Sequence, residues 1–300
     1  MSILRSDTII LNDGNVMPAV GTGTWKMTDR EELRRVLTDA IDLGYRHIDT
    51  AFRYGNEKII GELLEELFEK GVVKREELFI TSKLWCSHMD CPEKCLEQSL
   101  KDLKLDYIDL YLIHYPVRLS ADEEGNVKYD DNNNPIVLEF EAKKVWNRMI
   151  EFKKSGKVKS IGVSNFGIKN LEKIINSEIK PAVQQIEIHP YYQQKELYEY
   201  CNKNKIFIVS YSCLKPVMEN IEDNTIEELA HKHNTTQQKI ILSYLRQKGI
   251  GIIPKSLQKK HMKENLKTID LRKEEIIKID EIKAEIKIVN NQYLGDKRFD

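Results

Sequence analysis

No apolar run in this chain approaches the ~20 residues needed to span a bilayer. The first residues, Met1-Ser2-Ile3-Leu4-Arg5-Ser6-Asp7, lack the apolar stretch of a secretory signal. The cytoplasm is therefore the expected compartment. Excess charge is also missing. The 47 basic and 48 acidic residues leave a net charge of −1, so the whole chain has no electrostatic pull toward nucleic acid or anionic lipid. Cysteine is sparse: Cys86, Cys91, Cys95, Cys201 and Cys213 make an odd set without a Cys-x-x-Cys pair. Reduced thiols are expected rather than a disulfide framework. Cys86, Cys91 and Cys95 with His88 match no zinc spacing, so no metal is expected. A complete dinucleotide fingerprint is absent too. Gly21-Thr22-Gly23 begins one, but Lys26 stands where its third glycine belongs, and the pair reads better as a tight strand.

What is present is an ordinary globular composition, 41% hydrophobic and 32% charged over 300 residues, enough for a large core. Apolar, β-branched runs recur at 19–25, 47–50, 78–84, 108–115, 158–165, 182–189, 206–212 and 249–254. Between them lie stretches with helical period at 31–43, 57–69, 92–103, 143–154, 169–175 and 195–203, and two more at 225–233 and 236–247. Strict alternation of strand and helix predicts a parallel sheet. Eight units without a linker predict closure into a TIM (β/α)8 barrel, with residues 1–300 as one domain. Ahead of it, Thr8–Leu11 and Val16–Pro18 flank an Asp-Gly turn, a hairpin signal. That hairpin is placed to cover the lower mouth. Residues 273–283 read as an extra helix, followed by a tail without period. The polar connection 116–139 reads as a long loop of a functional or mobile kind.

In a parallel barrel, chemistry sits at the C-terminal ends of the strands. Those ends carry Asp49, Lys83, His114, Ser164-Asn165, Gln185, Glu187, Tyr211-Ser212 and Lys255-Ser256. Packing needs none of these groups in a buried strand, and ionisable residues are rarely buried unless paired. Singly, each has an ordinary explanation: Asp as a helix cap, His as a satisfied core residue, Lys reaching to water. Together, at one level of one barrel face, they predict a site.

Three segments then carry a family resemblance. Gly44-Tyr45-Arg46-His47-Ile48-Asp49-Thr50-Ala51, with Tyr54, Glu57 and Gly61, resembles the first signature of the aldo-keto reductases. Ile161-Gly162-Val163-Ser164-Asn165-Phe166 resembles the second, and Ile253-Pro254-Lys255-Ser256 through Glu264-Asn265 the third. The likeness runs from about Thr8 to Asn291 and is nearest to the aldose and xylose reductases. It implies reduction of an aldehyde or ketone by hydride from a nicotinamide cofactor, by a monomer whose partner is a small carbonyl compound. Tyr54 would be the general acid. Lys83, held by Asp49, would lower its pKa, and a neutral His114 would orient the carbonyl oxygen. Ser164, Asn165 and Gln185 would bind the nicotinamide carboxamide and Tyr211 would stack on the ring, with Thr24, Asp49, Ser212 and Leu214 also contacting the cofactor. Lys255 and Ser256 would meet the 2′-phosphate, and Glu264 and Asn265 the adenine. Trp25, Trp85, His114, Tyr115 and Asn290 would line the substrate pocket.

Two departures from the family pattern matter. His261 stands where the third signature has arginine. Arginine offers the phosphate a planar, permanently charged fork, and histidine does not. NADPH remains the expected cofactor, with NADH as a weaker or dual one. Cys213-Leu214-Lys215 replaces the usual Pro-Leu-Gly after the seventh strand, so the loop over the cofactor is expected to differ. Two other readings stay open at this level. One is a cofactor-binding barrel with little turnover. The other is a lyase in which Lys83 forms a Schiff base.

Overall fold

A computed structural model of the chain describes residues 8–219, 221–290 and 294. Residues Met1–Asp7 and most of the tail beyond Asn290 lie outside them. Strands β1 (Thr8–Ile10) and β2 (Val16–Pro18) form the expected antiparallel hairpin. The barrel strands are β3 (Thr22–Gly23), β4 (His47–Asp49), β5 (Phe79–Leu84) and β6 (Ile108–Ile113). After a small ribbon of β7 (Arg118–Leu119) and β8 (Val137–Leu138) come β9 (Val158–Ser164), β10 (Val183–Glu187), β11 (Phe207–Tyr211) and β12 (Gly251–Ile252). The eight barrel strands are parallel, and each pairs with its neighbour in chain order. The ends meet through Gly21 N–H to Ile252 O at 2.8 Å and Ile252 N–H to Ala19 O at 2.9 Å, which closes the barrel.

Side-chain alternation sorts the core. On β6, Leu110 and Leu112 point into the barrel, where they pack with Phe79, Val183, Val209 and Ile253. Tyr111 and Ile113 belong to the layer between strands and helices. Met17 and Leu11, from the hairpin region, join the inner cluster beside Phe79 and Val183, the first residues of their strands. The hairpin thus plugs the lower mouth with apolar surface, and the polar groups are left the upper one. His47 lies inside the barrel between them. Burial lowers its pKa to about 4, so it is a neutral core residue against Thr81.

The surrounding helices are α1 (Arg30–Asp42), α2 (Glu57–Glu69), α3 (Pro92–Leu103), α4 (Ala142–Lys154), α5 (Ile168–Glu172), α6 (Lys195–Lys203), α7 (Thr225–Lys232) and α8 (Gln237–Gln247). Apolar faces at helical period bury each of the longer ones. Gly61 is where α2 meets α3: a Cβ there would lie 2.1 Å from the Asp102 carbonyl oxygen. Gly162 does the same for β9, where a Cβ would sit 2.5 Å from Val183 O.

Two expectations need correction. The 116–139 connection is not structureless. It is a β-ribbon, with β7 paired to β8 and bridges at Ala121–Val127 and Tyr129–Pro135. The Asp122 carboxylate accepts the backbone N–H of Glu124 and Asn126, and Asp130 those of Asn132 and Asn134. Aspartate thereby fixes each turn locally, a device periodicity does not reveal. A further helix, α9 (Lys259–Asn265), follows β12 and was not anticipated, because it is short and mostly exposed. The extra helix α10 (Lys273–Asp280) ends before the expected Lys283.

Candidate active site

The strand ends deliver their polar groups to one rim. Lys83 and Asp49 are both fully buried at the tops of β5 and β4, and the ammonium donates to Asp49 Oδ1 at 2.6 Å and to Thr50 O at 2.8 Å. Gln185 on β10 donates to the other carboxylate oxygen at 2.7 Å. Asp49 thus has a partner on each oxygen, as a buried charge requires. A turn of 3-10 helix, Phe52–Tyr54, follows β4 and sets the Tyr54 ring 5.1 Å from Lys83 Nζ. His114 follows β6, its ring 5.8 Å from that of Tyr54.

Burial dominates the electrostatics of both His114 and Tyr54. Burial, then the charges of Lys83 and Arg53, hold the His114 pKa well below the ordinary value, so the imidazole is neutral. Its Nδ1 is buried without a hydrogen-bond partner among the described residues. The Tyr54 phenol, expected to be lowered by Lys83, is instead raised well above its ordinary pKa by burial and then by Asp49. Burial is the larger cause; the Lys83 charge does not offset it, because with Asp49 at 2.6 Å the ammonium presents a dipole rather than a free positive charge. Burial lowers the Lys83 pKa, while Asp49 opposes that shift.

The expected cofactor residues of β9, β10 and β11 form a continuous chain. Ser164 Oγ donates to Gln185 O at 2.9 Å, Asn165 Nδ2 to Ser164 Oγ at 3.0 Å and His114 O at 2.9 Å, and Tyr211 OH to Asn165 Oδ1 at 2.6 Å. Asn165 and Ser212 take left-handed backbone, φ 62° and 52°, as their strands turn out of the sheet. Thr24 is buried, donating to Asp49 O at 3.0 Å, and Leu214 is half-buried beyond β11. Across the rim, Lys255 Nζ donates to Trp25 O at 2.8 Å. Ser256 caps the turn into α9, bonding the N–H of Gln258. On α9, His261 is exposed, Glu264 half-buried and Asn265 buried. Lys259, also on α9, is paired with Asp39 at 2.8 Å and Asp42 at 3.4 Å, so much of its charge is compensated.

The predicted substrate walls meet as rings. Trp25 lies 4.8 Å from Tyr54, Trp85 5.3 Å from His114, and Tyr115 stacks on His114 at 4.9 Å. Asn290 is exposed in the tail. A cavity of about 230 Å³ lies elsewhere, between α6 and α8, where Tyr198, Tyr244, Lys248 and Asp280 satisfy one another.

Sequence reasoning gave no role to two buried supports. Asn56, inside the first signature segment, donates to Thr24 O and Met27 O and accepts from Thr50, so it braces the loop carrying Trp25. Glu57 lies behind Lys83 and accepts from Ser82 at 2.5 Å and Ser99 at 2.9 Å. Burial pushes its pKa up to about 7. A raised carboxyl pKa stabilises the fold below the unfolded value and loses that contribution as pH climbs through the folded value. Glu57→Gln is therefore expected to gain on the parent by roughly 3 kcal/mol between pH 4.5 and 8. Urea unfolding of both proteins across that range measures it, and parallel curves would contradict it.

A closed parallel barrel whose polar groups gather at the C-terminal rim defines an enzyme of the barrel class. The chain belongs to the aldo/keto reductase family: the model described as "Aldo/keto reductase family" matches residues 19–284. It is 44% identical to an aldose reductase of Encephalitozoon cuniculi, over 96% of this chain and 97% of that one. It is 38% identical to aldose reductase C of Dictyostelium discoideum, over 92% and 89%. The solved aldose reductase of Schistosoma japonicum superposes with a TM-score of 0.87 at 32% identity, covering 96% and 95% of the two chains. The chain is accordingly an oxidoreductase that reduces carbonyl compounds to alcohols.

Proposed function

We propose that the chain acts as an NADPH-dependent aldehyde or aldose reductase with Tyr54 as the proton donor. The observation that carries this reading is the convergence of Tyr54, His114 and the Lys83–Asp49 pair at one apolar-walled rim. The residues present fit a nicotinamide. Ser164, Asn165 and Gln185 offer hydroxyl and amide groups suited to a carboxamide, and the half-buried Tyr211 offers a flat face. Bound there, the cofactor supplies the hydride.

The chain's own residues supply the rest. Reduction turns a carbonyl oxygen into an anion. Neutral His114, with one N–H donor, holds that oxygen. Tyr54 stays protonated until the anion forms, because burial disfavours its phenolate, and then releases its proton to it. Trp25, Trp85 and Tyr115 exclude water and select carbonyl compounds with apolar or sugar-like faces. The Schiff-base reading loses ground here, since Lys83 is fully buried with donors committed to Asp49 and Thr50.

Lys255, Ser256 and His261 are the residues we assign to the 2′-phosphate. Steady-state kinetics with NADPH and NADH against aromatic aldehydes, aldoses and ketones test the assignment. NADPH is expected to be preferred, and His261→Arg to lower the KM for NADPH roughly tenfold while leaving NADH unchanged. Absence of turnover with either cofactor would remove the reading.

A further inference from the structure

We infer that Glu187 is a positioning residue: its carboxylate seats the C-terminal segment on the upper mouth of the barrel and thereby sets which carbonyl substrates fit. The inference rests on the substrate site proposed above. Glu187 ends β10, and its side chain is 2% exposed. One oxygen accepts the backbone N–H of Ile288 at 2.7 Å and the other that of Val289 at 2.9 Å. His189 Nε2 lies 3.1 Å from the first oxygen and fixes the carboxylate from the strand side. The tail is also held at Ile286, whose N–H donates to Tyr191 O at 2.7 Å.

The location follows from strand geometry. Residues two apart on a strand share a face and stand about 6.6 Å apart along it. Gln185 points inward, since its amide reaches Asp49. Glu187 therefore points inward one step higher, above the level of the Lys83–Asp49 pair. Across the ladder its partner is Tyr211, the proposed ring platform. A carboxylate buried at that height without partners would be costly. Burial raises its pKa, yet the hydrogen bonds from His189, Ile288 and Val289 outweigh that and hold it below the usual range. Those contacts are made to main-chain N–H groups, so the tail's backbone is gripped whatever its side chains. The segment leading to Asn290 is thus tied to the same strand that carries Gln185.

Glu187→Gln keeps the size but turns one acceptor into a donor facing an N–H. The expected result is a rise of roughly tenfold in KM for a bulky aromatic aldehyde, with kcat, NADPH affinity and the KM for a short aliphatic aldehyde little changed. Hydrogen exchange of the Ile288 and Val289 amides gives a second readout that needs no turnover. Both are expected to be protected in the parent chain and to exchange at least tenfold faster in Glu187→Gln. Unprotected amides in the parent, or a variant with an unchanged KM ratio, would overturn the inference. If the parent reduces no carbonyl compound, the functional reading fails instead, and the exchange result still decides whether the clamp exists.

Discussion

Tyr54→Phe is expected to slow carbonyl reduction roughly 10²–10⁴-fold, the usual contribution of a positioned general acid. The substitution removes one oxygen and keeps the ring that packs against Trp25 at 4.8 Å and stands near His114. The rim should therefore survive, and NADPH should bind with unchanged affinity in a fluorescence titration. The loss should fall on kcat. With the phenol raised by burial, loss of its proton, which would set the alkaline limb, should not limit the parent near pH 7, so kcat should stay flat across neutrality. A variant that turns over at the parental rate would assign the proton to another group. His114 is ill placed to take over, because its pKa lies well below the ordinary value and it carries no spare proton at pH 7.

Lys83→Met should cost both stability and turnover. The parent buries an ammonium and a carboxylate 2.6 Å apart, each almost without solvent contact. Removing one partner leaves Asp49 charged and facing methionine, with the amide of Gln185 still donating to it. Breaking such a pair costs about 3–5 kcal/mol. Replacing both members by apolar residues, as in Lys83→Met with Asp49→Leu, should recover much of that loss, because no lone charge remains. Turnover should recover in neither variant, since the phenol has lost the dipole beside it. Chemical denaturation and steady-state rates on the three proteins separate the effects. A single variant as stable as the parent would show that the pair is not the buried unit described here.

Much of the barrel was legible in the chain. Helices at 57–69, 92–103 and 195–203 fall on the expected residues, because their apolar faces repeat at helical period. The barrel strands lie within the apolar runs, trimmed at their ends. β3 and β12 are the shortest of these, at two residues each, since closure there relies on isolated bonds around Val20 and Ile252. The ribbon at 118–138 and helix α9 were not legible. Their order comes from aspartate-capped turns and from docking, as where Tyr45 OH reaches Met262 O at 2.9 Å.

The site divides the same way. Identity and level of Asp49, Lys83, His114, Gln185 and Glu187 follow from sequence alone, because alternation along a strand fixes which residues face inward and the strand's end fixes their height. Partnership does not follow. That Lys83 spends its charge on Asp49, that burial raises Tyr54 rather than Lys83 lowering it, and that Glu187 grips Ile288 and Val289 depend on distances between elements far apart in the chain. Periodicity records what one segment buries. Only closure of the barrel brings together charges whose mutual distance sets their energy.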